Sequence, residues 1–254
     1  MQLDTKEKLR EKTVFSPTPS LNRRPHHYCA GCGHGIVHRL LAELIDELGI
    51  PQKTVLIAPV GCGVLAFFYI NVDGCEAAHG RVPAVATGLK RVNPENIVIA
   101  YQGDGDLLAI GTAETIHTAN RGENITVVFI NNALYGMTGG QMAPTSLVGQ
   151  KTKTSPYGRS AAEAGYPIRA CELIDTLEAP VFIERTSVHS VKHIIRTKKA
   201  LKKGLKNQME NRGYSFIEVL SMCPTGWGMK PVSATEWIEK QMVPYYPLGN
   251  FRDR

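Results

Sequence analysis

Four cysteines and one pair of oxygen-bearing side chains carry the chemistry that this sequence could perform. Cys29-Ala30-Gly31-Cys32-Gly33-His34-Gly35 is a Cys-x-x-Cys in a glycine-rich loop ahead of a helix. Taken alone, it suits zinc, an iron–sulfur cluster or a redox disulfide. Cys62 lies in Gly61-Cys62-Gly63, and Cys223 opens Cys223-Pro224-Thr225-Gly226-Trp227. The other feature is Gly103-Asp104-Gly105-Asp106, followed one helix and one strand later by Asn131-Asn132. Asp104 and Asn132 supply hard oxygen ligands of the kind Mg²⁺ takes when it bridges two phosphates. Gly103 and Gly105 permit close ligand approach, and a helix beginning near Asp106 turns its free N–H groups toward an anion.

These residues need elements that bring them together. Residues 35–48 place Ile36, Leu40, Leu41, Leu44, Ile45 and Leu48 on one helical face, and Gly49 and Pro51 stop the helix. Short apolar runs at 54–60, 97–101, 125–130, 181–185 and 216–220 read as strands, and 83–91 and 107–120 as helices. Short apolar strands alternating with helices predict an α/β fold with a doubly wound, mostly parallel sheet. In such a sheet the strand before Asp104 and the strand before Asn132 run parallel, so both loops emerge at the carboxyl edge, where these folds bind ligands. Cys62 follows the strand 54–60 and Cys223 follows 216–220. If those strands are parallel too, four thiolates converge beside the Asp104 loop. Tetrathiolate ligation suits zinc or a 4Fe–4S cluster.

Composition bounds the rest. A chain of 254 residues with 43% hydrophobic content holds one large α/β domain. No apolar run approaches the roughly 20 residues of a membrane span. The polar stretch 1–25 lacks the apolar segment of a secretory signal, so the expected compartment is the cytoplasm. There the six cysteines do not form a disulfide framework, and Cys75 and Cys171, outside every motif, read as structural. The net charge of +6 is concentrated in Lys192, Arg196, Lys198, Lys199, Lys202, Lys203 and Lys206. Apolar residues at near-helical spacing among them make this an amphipathic helix with a solvated basic face; the sharper reading is a docking surface for an acidic, ferredoxin-like partner. Nucleic acid is disfavoured because no aromatic residues interleave with the charges. Asn124-Ile125-Thr126 matches a glycosylation sequon but reads as a strand start.

The Gly-Asp-Gly and Asn-Asn loops resemble the signature of thiamine-diphosphate enzymes. The resemblance implies the pyrophosphate-domain fold, with Mg²⁺ held by Asp104, Asn132 and the backbone carbonyl of Leu134. It also makes Gly136, Met137 and Thr138 part of the loop that continues around the diphosphate. From Tyr28 to Trp227 the chain is similar to the β subunit of 2-oxoacid:ferredoxin oxidoreductases, through Cys-Ala-Gly-Cys-Gly-His-Gly, Pro-Val-Gly-Cys-Gly, Ala-His-Gly-Arg, Gly-Asp-Gly-Asp, the Asn-Asn loop and Cys-Pro-Thr-Gly-Trp. That resemblance places a 4Fe–4S cluster on Cys29, Cys32, Cys62 and Cys223, and His79 near the cofactor phosphates. Oxidative decarboxylation of a 2-oxoacid releases electrons that a nearby low-potential acceptor must take singly, and redox-inert zinc cannot. Val60, Gly61, Cys62 and Gly63 present backbone to the diphosphate, together with Gly103, Gly105 and Asp106. His34 is either a supporting donor or simply a helix N-terminal residue.

The family's activating glutamate for the aminopyrimidine ring comes from another domain, so the resemblance implies a partner α subunit carrying the pyrimidine domain. It further implies γ and ferredoxin-like δ subunits, with coenzyme A and ferredoxin as co-substrates. The expected layout is an N-terminal arm at 1–25, the cofactor and cluster domain at 26–230 and a C-terminal extension at 231–254. Two alternatives stand beside the oxidoreductase: a non-oxidative thiamine-dependent decarboxylase or synthase subunit, and a zinc-stabilised scaffold without a catalytic cofactor. Thr138, Gly139 and Gly140 offer no cation to a distal carboxylate, which favours a branched-chain or apolar 2-oxoacid.

Overall fold

The computed structural model describes residues 16–254, so residues 1–15 of the expected N-terminal arm lie outside the described residues. In chain order the helices are α1 (His34–Glu47), α2 (Ala66–Tyr69), α3 (Val82–Val92), α4 (Thr112–Asn120), α5 (Ala161–Ala164), α6 (Ala170–Asp175), α7 (Val191–Met209), α8 (Pro224–Trp227), α9 (Pro231–Trp237) and α10 (Val243–Tyr245). The strands are β1 (Thr54–Ala58), β2 (Asp73–Glu76), β3 (Ile97–Gly103), β4 (Thr126–Asn131), β5 (Phe182–Ser187), β6 (Ser215–Leu220) and β7 (Gly249–Asp253). They form one seven-stranded sheet in the order β2-β1-β3-β4-β6-β5-β7, parallel throughout except for β7, which runs antiparallel to β5.

The sheet is covered on both faces, and strand alternation divides the core in two. Ile97, Ile99 and Tyr101 of β3 and Val128 and Ile130 of β4 pack with Leu41 and Leu44 of α1 and Leu201 and Leu205 of α7. Val98 and Ala100, with Val127 and Phe129, pack on the other side with Ala86 of α3, Ala119 of α4 and Cys171 and Ile174 of α6. Strands buried on both faces read as continuous apolar runs, which is why periodicity found β1, β3, β4, β5 and β6.

Three elements depart from expectation. The helix expected over 107–120 is broken into a π-helical turn, Gly105–Ile110, and α4. Gly111 stands at the break, where a Cβ would collide with the backbone of Asp106 and Gly80. The break lets the Gly80 loop close onto the Gly-Asp-Gly loop. Strand β2 carries Asp73, Gly74 and Glu76 on an exposed edge and has no apolar signal. Strand β7, within 231–254, is likewise an exposed or half-buried edge strand. Part of the basic face of α7 is paired within the chain: Lys198 bonds Glu43 at 2.9 Å and also Glu47, Lys202 bonds Glu47 at 3.3 Å, and Lys203 bonds Asp253 at 3.0 Å. These pairs tie α7 to α1 and β7. Among the described residues no helix is long and apolar enough to cross a membrane.

Candidate active site

The parallel register of β1, β3, β4 and β6 brings the loops that follow them to one edge of the sheet. They enclose a cleft of about 650 Å³. The loop after β1 lines it with Val60, Gly61, Cys62 and Gly63; the loop before α3 adds His79. Gly103, Asp104, Gly105 and Asp106 come from the end of β3, and Asn132, Leu134, Gly136, Met137 and Thr138 from beyond β4. All fourteen residues expected at the diphosphate and its metal therefore share one cavity.

At its floor, three oxygens gather. The Asp104 carboxylate is buried, and Thr145 Oγ1 donates to its Oδ2 at 2.6 Å. Burial pushes the Asp104 carboxyl up to about 7, and the Thr145 hydroxyl and neighbouring backbone amides pull it back. The Asn132 amide oxygen faces two acceptors; turned by 180°, the amide would instead donate to Asp104 Oδ1 at 3.1 Å and to the Leu134 carbonyl at 2.7 Å. An oxygen facing only oxygens is repulsive unless a cation sits among them. An octahedral Mg²⁺ with ligands at about 2.1 Å sets neighbouring ligands about 3 Å apart, so the spacing of this trio fits that ion.

The backbone is bent to make the trio. Ala133 has φ of 58°, a left-handed conformation costly for a residue with a Cβ. It is held there from several sides: its N–H donates to Asn131 Oδ1 at 3.2 Å, and its carbonyl accepts from Ser146 Oγ at 2.6 Å and Gln150 Nε2 at 2.9 Å. Trp227 Nε1 donates to the Asn132 carbonyl at 3.0 Å, joining the Cys-Pro-Thr-Gly-Trp turn to the Asn132–Leu134 loop.

Asp106 organises another side of the cleft. Its Oδ1 lies 2.8 Å from His79 Nδ1 and accepts from Gly80 N at 2.9 Å and Val60 N at 3.4 Å, while Oδ2 accepts from Gln102 Nε2 at 2.7 Å. One carboxylate thus ties together the loops after β1, before α3 and after β3. With Nδ1 engaged, the half-exposed His79 ring has Nε2 left for the cleft, where it can meet an anion.

The four cysteines of the motifs line a second cavity, of about 800 Å³, whose wall also includes Tyr28 and Pro224. His34, Cys62, Asn132, Gly136 and Met137 line both cavities. Gly33 N donates to the Met222 carbonyl at 3.2 Å, anchoring the Cys29–Cys32 loop to the end of β6. A Cβ on Gly136 would lie 3.3 Å from both Cys62 Sγ and Cys223 Sγ, so these two sulfurs flank the same point. Burial, opposed in part by a backbone hydrogen bond and reinforced by the other thiolates, pushes Cys32 up to about 12. Burial does the same to Cys223, up to about 12, and to Cys62, up to about 11. These thiols ionise together only around a cationic centre. Among the described residues no three His, Cys, Asp or Glu side chains come close enough to hold one metal ion. The sulfurs surround a space rather than meet at a point. Cys171 is buried in the core, and Cys75 lies on the edge strand β2, both away from this cavity.

Sequence reasoning missed Thr145, Ser146 and Gln150, which support Asp104 and the Asn132–Leu134 loop from outside any motif, and Ala109 and Ile110, which line the cleft. The spacing of residues 145–150 from Asn132 carries no signal, because their bonds depend on how a long irregular segment folds back.

The family model for the C-terminal TPP-binding domain of thiamine pyrophosphate enzymes matches residues 66–219. The chain is 53% identical over 228 residues to ketoisovalerate oxidoreductase subunit VorA of Methanothermobacter thermautotrophicus, covering 90% of this chain and 48% of that one. It thus spans about half the length of the VorA subunits it matches. It is 37% identical to 2-oxoglutarate synthase subunit KorB of Methanocaldococcus jannaschii, covering 87% of this chain and 80% of that one. Its fold matches a solved 2-oxoglutarate:ferredoxin oxidoreductase from Magnetococcus marinus, bound to 2-oxoglutarate, coenzyme A and succinyl-CoA. The TM-score is 0.76 at 24% identity, covering 96% of this chain and 87% of that one.

Proposed function

The chain belongs to the thiamine pyrophosphate enzymes, and among them to the 2-oxoacid oxidoreductase subunits; on that premise we propose that it is the cofactor-holding β subunit of a 2-oxoacid:ferredoxin oxidoreductase. The reaction is 2-oxoacid + CoA + 2 oxidised ferredoxin giving acyl-CoA + CO₂ + 2 reduced ferredoxin + H⁺. The observation that carries this reading is the common wall between a diphosphate-and-metal cleft and a cavity lined by four thiols. A non-oxidative thiamine enzyme has no use for the second cavity, and a zinc-bound scaffold has no use for the first.

Asp104, Asn132 and the Leu134 carbonyl would hold Mg²⁺ on the diphosphate, with His79 and the glycine backbones of the loops after β1 and β3 around it. Bound thiamine diphosphate supplies the electron sink for decarboxylation. Cys29, Cys32, Cys62 and Cys223 would hold a 4Fe–4S cluster, since a cubane needs its thiolates spread around it whereas a single zinc ion gathers them. The chain's own residues fix the cofactor, keep the metal oxygens aligned, and set the cluster against the same wall.

Other subunits complete the enzyme. An α subunit supplies the pyrimidine-activating glutamate; γ and ferredoxin-like δ subunits and ferredoxin complete the path for coenzyme A and electrons. We place the complex in the cytoplasm. No lysine or arginine lines the cleft among the described residues, which supports a branched-chain or other apolar 2-oxoacid, as does the greater identity to a ketoisovalerate oxidoreductase subunit than to 2-oxoglutarate synthase subunits.

The test is analysis of the anaerobically purified complex for iron, acid-labile sulfide and thiamine diphosphate, followed by dye-linked oxidation of a 2-oxoacid panel. Four irons per β subunit with bound thiamine diphosphate is the expected result. Zinc in place of iron removes the oxidoreductase, and absence of the thiamine cofactor removes every thiamine-dependent reading.

A further inference from the structure

His34 opens α1 directly behind the Cys29–Cys32 loop, and only 2% of it is exposed. It lines the wall that the cofactor cleft and the thiol cavity share. The proposed function gives it no task, yet its ring is held firmly. Tyr28 stacks on it with centroids 5.0 Å apart and planes within 7°, and the Tyr28 hydroxyl donates to the Cys62 carbonyl at 3.0 Å. On the other side, His34 Nδ1 lies 2.7 Å from the hydroxyl of Tyr101.

That contact fixes the tautomer. Tyr101 is wholly buried, and a buried hydroxyl has to donate its proton to something. Among the described residues, His34 Nδ1 is the acceptor within reach. Tyr101 therefore donates to Nδ1, and the imidazole carries its proton on Nε2. Nε2, the ring nitrogen not engaged by Tyr101, has no hydrogen-bond partner among the described residues, so the chain presents a held N–H donor on a nearly fully buried ring that lines the shared wall.

We propose that the His34 Nε2–H donates a hydrogen bond to the sulfur framework of the cluster held by Cys29, Cys32, Cys62 and Cys223, and that Tyr101 fixes this donor by occupying Nδ1. The inference rests on the cluster proposed above. Reduction adds negative charge to cluster and ligand sulfurs, so a donor aimed at them favours the reduced form and raises the potential. His34 then sets how readily the cluster accepts electrons from the adjoining cofactor cleft. It acts as a tuning residue and touches no reacting bond.

The experiment is a redox titration of the assembled, anaerobically purified enzyme, followed by the EPR signal of the reduced cluster. His34→Leu removes the donor and is expected to weaken the cluster's reduction equilibrium about tenfold, a drop of about 59 mV for one electron. His34→Gln keeps an N–H at similar reach and recovers most of the shift. Tyr101→Phe releases the tautomer without changing the donor residue and gives a smaller shift in the same direction, so it carries the test should His34→Leu load iron poorly. Wild-type potentials in iron-replete Tyr101→Phe and His34→Leu enzymes overturn the inference. So does an unchanged potential with a raised KM for the 2-oxoacid, which would place the donor on the substrate side of the wall. A wild-type enzyme without any cluster signal would instead refute the function proposed above.

Discussion

Asp106 Oδ1 and His79 Nδ1 stand 2.8 Å apart, with the carboxylate shut away from solvent and the imidazole partly exposed to the cleft. The aspartate is a hub rather than a contact, since its two oxygens take four donors, three from the loops after β1 and before α3 and one from Gln102 of β3. Asp106→Asn is expected to keep the fold: the Gln102 Oε1 atom has no partner, so that amide can turn and accept from the new side chain. The stability loss should be about 1 kcal/mol, while Asp106→Ala strands four donors and should cost about 3 kcal/mol or more. In both variants His79 loses its anionic anchor, and affinity for thiamine diphosphate should fall about tenfold, equivalent to about 1.4 kcal/mol. Cofactor titration of the assembled enzyme, beside thermal unfolding, separates the two effects. Cofactor affinity unchanged in Asp106→Asn would show that His79 does not meet the diphosphate.

Gly226 lines the thiol cavity beside Cys223, with Leu134 of the cofactor cleft on its other side, and substitution there presses on both. A Cβ at this position would come within 2.8 Å of Cys223 Sγ and 2.9 Å of Leu134 Cδ1. Leucine can rotate away, but Cys223 is fixed by α8, so the sulfur has to move. Gly226→Ala should lower the iron content of the purified enzyme to well under half while shifting the unfolding temperature by only a few degrees, consistent with a cost of about 1–2 kcal/mol. Iron and sulfide analysis beside a thermal scan checks this. Full iron occupancy would mean that Cys223 is not a cluster ligand.

Arg185 is fully buried between Glu218, at 2.8 Å, and Glu172, and Asn131 Nδ2 donates to Glu218 at 2.7 Å. The network therefore reaches Asn131, which ends β4 and leads into the Asn132–Leu134 loop. Arg185→Met leaves Glu218 charged, buried and short of its partner, and should cost about 3–5 kcal/mol; the double change Arg185→Met, Glu218→Met should recover much of that. Burial alone would raise the Glu172 carboxyl, but the hydrogen bond and charge of Arg185 outweigh it and hold the group below the ordinary carboxylate range. A carboxyl depressed in the folded state stabilises fully above its unfolded pKa, and that contribution is lost as pH falls through the folded value. Stability of the wild-type enzyme should thus decline below about pH 4.5 more steeply than that of Glu172→Gln. Denaturant unfolding across that pH range measures the difference.

The parts of this site written in sequence are those in which one residue type has one use. Cys29 and Cys32 stood out by their Cys-x-x-Cys spacing ahead of α1. Asp104, Asn132, Cys62 and Cys223 were legible because their loops follow strands buried on both faces, and such strands announce themselves as apolar runs. The parallel order then put them at one edge. What was hidden depends on close approach. Gly111 interrupts a helix that periodicity ran straight through, because the reason for the break is the backbone of Gly80 pressing on it from another loop. Thr145 reaches Asp104 across 41 residues of chain, the last stretch of which, beyond β4, is irregular. The basic face of α7 looked like a surface, and the glutamates of α1 that neutralise Lys198 lie 151 and 155 positions away. Likewise, the sequence left His34 evenly divided between a structural and a supporting role, and only the Tyr101 contact gives its Nε2 a direction.

On the proposed function, the loop at Met137–Gln141 would read the far end of the substrate; its Thr138 lines the cleft and is largely exposed. The Gln141 amide donates back to the Thr138 carbonyl at 2.9 Å, so the backbone of this loop is closed on itself. Replacing an exposed threonine there should cost the fold less than about 0.5 kcal/mol. Thr138→Lys would add a cation to a cleft whose described lining holds no lysine or arginine. A charge-assisted hydrogen bond to a distal carboxylate then favours 2-oxoglutarate, and an ammonium that an apolar side chain would have to desolvate disfavours the latter. The ratio of kcat/KM for 2-oxoglutarate to that for 2-oxoisovalerate should rise about tenfold, equivalent to about 1.4 kcal/mol of discrimination. Steady-state reduction of a viologen dye by the assembled enzyme, with each 2-oxoacid in turn, measures that ratio. An unchanged ratio would mean that the far end of the substrate is read by the α subunit and not by this loop.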